Sequence, residues 1–171
     1  MIGPSPALRV RDEAFAFAFT IEPTMDNGAV KAFRPYEDKR YAGKPRHRWG
    51  DGPFCRFSPE ALPRKKGVYL FVIDGEIMCA GYGATLRARF NGYSTIRGPN
   101  TMKGEHHNRP QTTCRINHLV YEACAASKRV DVYVQVTDDY KAIEKKIIHG
   151  LGHPPWNRFC PECHWRRPLH G

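Results

Sequence analysis

The sequence predicts an α/β chain of the α+β type: a small three-stranded mixed or antiparallel sheet flanked by helices, with an N-terminal extension and a long basic loop. Three observations predict it. The run Gly67–Ile73 is apolar on both alternating faces and ends in Asp74-Gly75. Val130, Val132, Val134 and Val136 alternate with polar neighbours, and two later stretches carry apolar residues at helical spacing. At 171 residues the chain has the length of one ordinary domain.

In chain order, residues 14–19 alternate Ala and Phe, placing Phe15, Phe17 and Phe19 on one face of a half-buried strand. Gly67–Ile73 reads as a central strand covered on both sides, Asp74-Gly75 as a two-residue hairpin turn, and residues 76–81 as the return strand. Residues 84–91 are rich in helix formers, and Gly92 is expected to stop them. Residues 94–112, with Gly98, Pro99, Asn100, Gly104 and Pro110, read as a polar loop. Ile116, Leu119, Val120, Ala123 and Cys124 form a helical stripe with Thr113 as its expected cap. After the alternating strand at 130–136, Thr137 is the expected cap of a last helix, whose buried side runs Tyr140, Ile143, Ile147 and Leu151 before Gly152 and Pro154 end it.

Lys and Arg number 27 against 17 Asp and Glu, a net charge of +10, which favours a polyanionic partner. Residues 31–66 hold 11 of the cations and 4 of the acids, so this segment supplies +7. There Phe33, Tyr36, Tyr41, Trp49, Phe54 and Phe57 interleave with Lys39, Arg40, Lys44, Arg46 and Arg48, the pattern of an arm that neutralises phosphates while aromatic rings pack or stack. Arg97, Lys103 and Arg109 make the polar loop basic too, and His106 and His107 fall in it as surface or DNA-contacting groups.

No apolar run approaches the roughly 20 residues of a membrane span, and the N-terminus lacks a secretory pattern, so the expectation is a soluble, cytoplasmic chain. The six cysteines are scattered apart from Cys160-Pro-Glu-Cys163 and read as reduced thiols. That last pair is half of a zinc site, which His149, His153 or His164 would complete. Glu144 lies on the border of the last helix's apolar stripe, where a carboxylate needs a partner: a lysine at 141, 145 or 146, or a metal. Mg²⁺ takes hard oxygen ligands and often only one or two carboxylates besides substrate phosphate, so one such Glu is chemically sufficient.

The motifs combine into a resemblance. Gly67-Val68-Tyr69, nine residues, Cys79-Ala80-Gly81, Arg89 eight residues later, Tyr93 four beyond, Glu144 on a helix and Asn157 after Pro154-Pro155-Trp156 follow the spacing of the GIY-YIG nuclease family. The matched stretch runs from Gly67 to Asn157. It divides the chain into a basic extension at 1–66, a nuclease core at 67–157 with its inserted loop, and a tail at 158–171. The resemblance implies that Tyr69 helps activate the attacking water, Arg89 clamps the scissile phosphate, and Glu144 holds one Mg²⁺ or Mn²⁺. Tyr93 would be a second phenol beside the phosphate, and Asn157 a polar brace. The departure is Cys79, where the family has its second tyrosine; Tyr82, three residues on, is expected to face the other way.

A chain this small is most similar to the family's type II restriction endonucleases, which implies double-stranded DNA as substrate and a homodimer on a palindromic site. The alternatives are a nicking or repair endonuclease of loose specificity from a phage or mobile element, and a DNA-binding module with impaired catalysis.

Overall fold

The computed structural model describes residues 3–37, 39, 48–96, 108–160 and 165–166. It is a mixed α+β fold with a five-stranded antiparallel sheet and three α-helices. The chain divides into two compact units: one of residues 1–21, 60–89 and 129–171, the other of residues 22–59 and 90–128.

The first unit holds the sheet, made of β1 (Ala7–Val10), β2 (Glu13–Thr20), β5 (Gly67–Ile73), β6 (Glu76–Gly83) and β7 (Val130–Val136) in the order β1-β2-β7-β5-β6. All seven residues of β5 are buried, as its unbroken apolar run requires of a strand covered on both faces. Asp74 and Gly75 both take positive φ (51° and 87°), the conformation a two-residue hairpin needs. The expectation of three strands is corrected: β1 and β2, from the N-terminal extension, join the same sheet beside β7; of the mixed or antiparallel arrangement expected, the sheet takes the antiparallel one, in every pairing among the described residues. Phe15 is fully buried and Phe17 packs partly against the core, but a register shift between Phe17 and Phe19 interrupts the Phe alternation.

Val68, Leu70 and Val72 project from one face of β5 into a core shared with Phe15, Tyr133 and with Ile147 and Ile148 of α3 (Tyr140–Gly150). Each such side chain stabilises the unit by about 1.5–3 kcal/mol on leaving water, which fixes α3 against the sheet. The start of α3 differs from expectation. Its cap position is Asp139, while the Thr137 hydroxyl accepts the Asp139 N–H at 3.1 Å just outside the helix. Leu151 lies beyond the last turn and is exposed.

After α3 the chain reverses through Gly152 and His153, both at positive φ, and reaches the free edge of β6. The Trp156 N–H donates to the Met78 carbonyl at 2.7 Å. The Asn157 side chain then accepts the Ala80 N–H at 2.9 Å and donates to the Ala80 carbonyl at 2.8 Å, so one amide completes both ladder bonds of an edge residue. Replacing Asn157 with Ala leaves that pair without its partner and is expected to cost about 1–2 kcal/mol in chemical denaturation, with Asn157→Asp recovering only the acceptor half.

The second unit contains a hairpin of β3 (Met25–Asp26) and β4 (Ala29–Val30) around Asn27-Gly28, a short 3₁₀ helix at Pro35–Glu37, and α2 (Asn108–Ala125). Phe54, Ile96 and Cys114 form its core, with Phe33 and Trp49 packed against them. Asn117 is fully buried; its amide donates to the Cys55 and Tyr93 carbonyls and accepts the Cys55 N–H. Two boundaries are corrected. Helix α2 begins at Asn108, inside the segment read as loop, so Thr113 lies within it rather than at its cap. Pro110 is tolerated in that first turn because the N–H it lacks has no helical partner there. Helix α1 (Leu86–Ser94) continues through Gly92, where expectation stopped it, and the division between the units falls within it. No helix among the described residues is long and apolar enough to cross a membrane.

Candidate active site

Four of the five residues expected to act on phosphate belong to the first unit: Tyr69 on β5, Arg89 on α1, Glu144 on α3 and Asn157 after it. Tyr69 lies opposite Gly81 in the β5–β6 ladder, and its ring covers that glycine: a Cβ there would lie 2.5 Å from Cζ and 3.0 Å from Cε2 of the tyrosine and run into its hydroxyl. Phe71 meets the same ring edge-on at 5.7 Å, so the phenol is held from two sides and is 2% exposed. Two residues along β6 is Gly83, where a Cβ would lie 3.1 Å from the Cβ of Arg89. Alternate residues of a strand share a face about 7 Å apart, so two glycines give room side by side to the Tyr69 ring and the stem of Arg89.

The Arg89 charge also acts on Glu144. The Glu144 carboxyl is half-buried, and burial pushes its pKa up to about 7; the positive charges of Arg89 and Lys145 act against that rise without overcoming it. The Tyr69 ring and the Arg89 stem thus share one face of β6, over Gly81 and Gly83, and the Arg89 charge also acts on Glu144. Tyr69 and the α3 core residues Ile147 and Ile148 nevertheless lie on opposite faces of β5. Asn157 grips Ala80, between Cys79 and the glycine that carries Tyr69.

Tyr93, one helical turn after Arg89, belongs to the second unit. It is 1% exposed, meets Phe90 edge-on at 5.6 Å, and its carbonyl accepts from Asn117. Cys79 is buried, lies opposite Phe71 on the Tyr69 face, and contacts the Ala80 carbonyl at 3.6 Å. Tyr82 pairs with Val68 on the other face and packs on Tyr140 of α3 with ring centroids 5.3 Å apart, as the strand alternation requires.

Lys39 is exposed, and Arg48 is exposed with its guanidinium 5.1 Å from the Trp49 ring centre. Arg40, Lys44, Arg46, Arg97 and Lys103 lie outside the described residues, as do His106, His107 and the side chain of Arg109. The zinc expectation falls mostly outside them too: Cys163, His164 and the side chain of Cys160 are not described, while His149 is exposed on α3 and His153 half-buried in the turn after it.

Among the described residues no group of three or more His, Cys, Asp and Glu side chains is arranged to hold a metal. The half-buried Glu144 carboxyl offers hard oxygen donors, and a cation bound there would have to displace the proton that burial favours. One carboxylate with substrate oxygens is a donor set of the kind Mg²⁺ takes, and the described residues form no protein cage for it.

The raised Glu144 pKa has a sign that can be tested. Between about pH 4.5 and 7 the folded chain keeps a proton that the unfolded chain releases, so burial of Glu144 lowers stability as pH rises through that window. Urea titrations without divalent metal are expected to show a loss on the order of 2–3 kcal/mol from pH 4.5 to 8 that is absent in Glu144→Gln.

Of the lysines expected to partner Glu144, Lys145 is the one whose charge acts on it. Trp156, which packs on Phe71 at 5.8 Å, was not singled out beforehand. No family model, curated protein or solved structure matches the chain.

Proposed function

We propose that the chain is a metal-dependent DNA endonuclease of the GIY-YIG kind, a sequence-specific type II restriction enzyme that hydrolyses phosphodiester bonds in double-stranded DNA. The observation that carries the reading is Arg89, whose stem lies beside the Tyr69 ring over the two β6 glycines and whose charge also acts on the half-buried Glu144 carboxyl. Phosphodiester hydrolysis builds negative charge on the phosphorus-bound oxygens in its transition state, and the site offers what that charge needs.

In this reading the Arg89 guanidinium binds and neutralises the scissile phosphate through its forked donors. Glu144 would hold Mg²⁺, which when bound would supply Lewis-acid stabilisation of the developing charge and of the leaving oxygen. Tyr69, its ring fixed by Gly81 and Phe71, orients the attacking water and relays its proton. A phenol can do so near neutral pH only when cations lower its pKa from about 10, a role for Arg89. Asn157 keeps the β6 edge, and with it the Tyr69 platform, in register. The basic segment at 31–66 and the loop residues Arg97, Lys103 and Arg109 hold the duplex, and two copies of the chain on a palindrome cut both strands.

The test is incubation of the purified protein with several unmethylated DNAs of known sequence and Mg²⁺, followed by separation of the products by size. Discrete fragments that disappear in Glu144→Ala support a site-specific endonuclease and define its site. A smear or nicks would replace the restriction reading with a loosely specific endonuclease, and binding without cleavage would reject the catalytic reading and make Cys79→Tyr the restoring substitution to try.

A further inference from the structure

Tyr82 has no part in the proposed reaction, yet among the described side chains it is the one exposed aromatic ring, with 39% of its surface in water. It stands on β6 between Gly81 and Gly83, the two glycines under the Tyr69 ring and the Arg89 stem, but strand alternation turns it to the opposite face. There it meets Tyr140 in the first turn of α3, with ring centroids 5.3 Å apart and planes tilted by 45°. Tyr140 is half-buried against the sheet core, so it fixes the inner side of the pair while Tyr82 forms the outer side.

Glu144 follows Tyr140 by four residues, so the two are neighbours along one side of α3, one turn or about 6 Å apart. The aromatic pair therefore adjoins the carboxylate of the candidate site. Its surroundings are mixed in charge. The Lys141 ammonium lies 6.0 Å from the centre of the Tyr140 ring, Tyr140 acts electrostatically on Lys66, Lys66 pairs with Asp138 at 3.1 Å, and Asp139 occupies the cap position of the helix. Two lysines and two aspartates cancel, so this place has no surplus of charge with which to hold a phosphate. What it offers is a braced aromatic surface, and the group such a surface takes is a planar, uncharged ring. Nucleobases stack on aromatic side chains whatever the sequence, because each base has a π-face.

We propose that Tyr82 and Tyr140 form a stacking step for an unpaired base of the DNA strand, near the phosphate that Arg89 and Glu144 address. The proposal rests on the endonuclease reading for its ligand and adds to it a contact that depends on base opening rather than on charge. The step holds a base only where that base has left the duplex stack, so it favours opened or distorted DNA and reads no letter of the sequence.

The test compares binding, in EDTA and over a range of salt, of a fully paired 30-base-pair duplex and of the same duplex with a central two-base mismatch, for the wild-type chain, Tyr82→Ala and Tyr82→Phe. Stacking of one base on an aromatic side chain changes affinity by about fivefold to a hundredfold, so a preference of at least about fivefold for the mismatched duplex is expected in the wild type and in Tyr82→Phe, and its loss in Tyr82→Ala. The slope of log K against log salt should be the same in all three, because no phosphate contact is removed. The paired duplex guards against a folding defect: its binding should be little changed in Tyr82→Ala. No preference in the wild type, or a preference that Tyr82→Ala keeps, overturns the step even if the protein cuts DNA. Loss in Tyr82→Phe as well as in Tyr82→Ala overturns stacking in favour of a hydroxyl contact. The expected pattern in a protein that never cuts with Mg²⁺ upholds the step and rejects the endonuclease. A wild-type protein that binds neither duplex overturns both.

Discussion

Glu144→Ala is expected to lower Mg²⁺-dependent cleavage by about a thousandfold or more while duplex binding in EDTA stays within a few-fold of wild type. The size follows from what the residue does in the proposed reaction. There Glu144 would be the carboxylate that holds the cation, and loss of one preorganised charge-stabilising group at a transition state commonly costs two to three orders of magnitude. The separation of cleavage from binding follows from the distribution of charge. In the proposed reading DNA affinity would come from the many cations of the arm and the loop, whereas Glu144 is an acid and adds nothing favourable to a polyanion. Removing it should relieve burial of a charge, so the variant should also be no less stable than wild type above pH 7. Cleavage that survives in Glu144→Ala at saturating Mg²⁺ would remove this residue from the metal site.

Gly81→Ala is expected to destabilise the first unit by about 2–3 kcal/mol in chemical denaturation and to abolish most cleavage, because the new Cβ occupies the place of the Tyr69 phenol. The ring has no simple escape. Phe71 meets it edge-on, and β5 is buried on both faces, so either the strand pair separates locally or the phenol rotates off its platform. Gly83→Ala is the informative comparison. Its Cβ would meet the Arg89 side chain at 3.1 Å and the Thr85 carbonyl oxygen at 3.2 Å, contacts a small shift of α1 relieves, so a smaller loss is expected. Equal stability of Gly81→Ala and wild type would mean that Tyr69 does not lie on the β6 glycine.

The central hairpin and β7 were legible because their evidence is local. A run apolar on both faces, a two-residue turn requiring positive φ, and a valine alternation each state which faces are covered. Which strands pair across the sheet is not local. The Phe15–Phe19 alternation announced a strand with a buried face, but nothing in it named β7 as partner, so the extension's place in the sheet emerged only in three dimensions. Helix α2 was shortened for a related reason. Asn108 and Pro110 read as loop residues, yet a first helical turn accommodates both, and the gain from burying Ile116, Val120 and Cys114 sets the helix wherever that turn begins. Gly92 misled by its ordinary cost of about 1 kcal/mol in a helix, which packing of Phe90 and Tyr93 exceeds. At the site, the stripe position of Glu144 foretold its burial. The influence of the Arg89 charge on it joins residues 55 positions apart, which no periodicity expresses.

The clasp at Asn157 also bears on how the sheet behaves toward other chains. An edge strand exposes a row of unpaired backbone groups on which foreign strands can grow, and proteins that leave such rows open are prone to end-to-end stacking. On β6 the Met78 carbonyl and both Ala80 groups are already taken by Trp156 and Asn157. The opposite border, β1, is only four residues long and carries Arg9, a length and charge that discourage templating. The same short segment that steadies the platform under Tyr69 thus protects the sheet from polymerising, so a chain truncated before residue 156 should gain a tendency to form fibrils as well as lose register at β6.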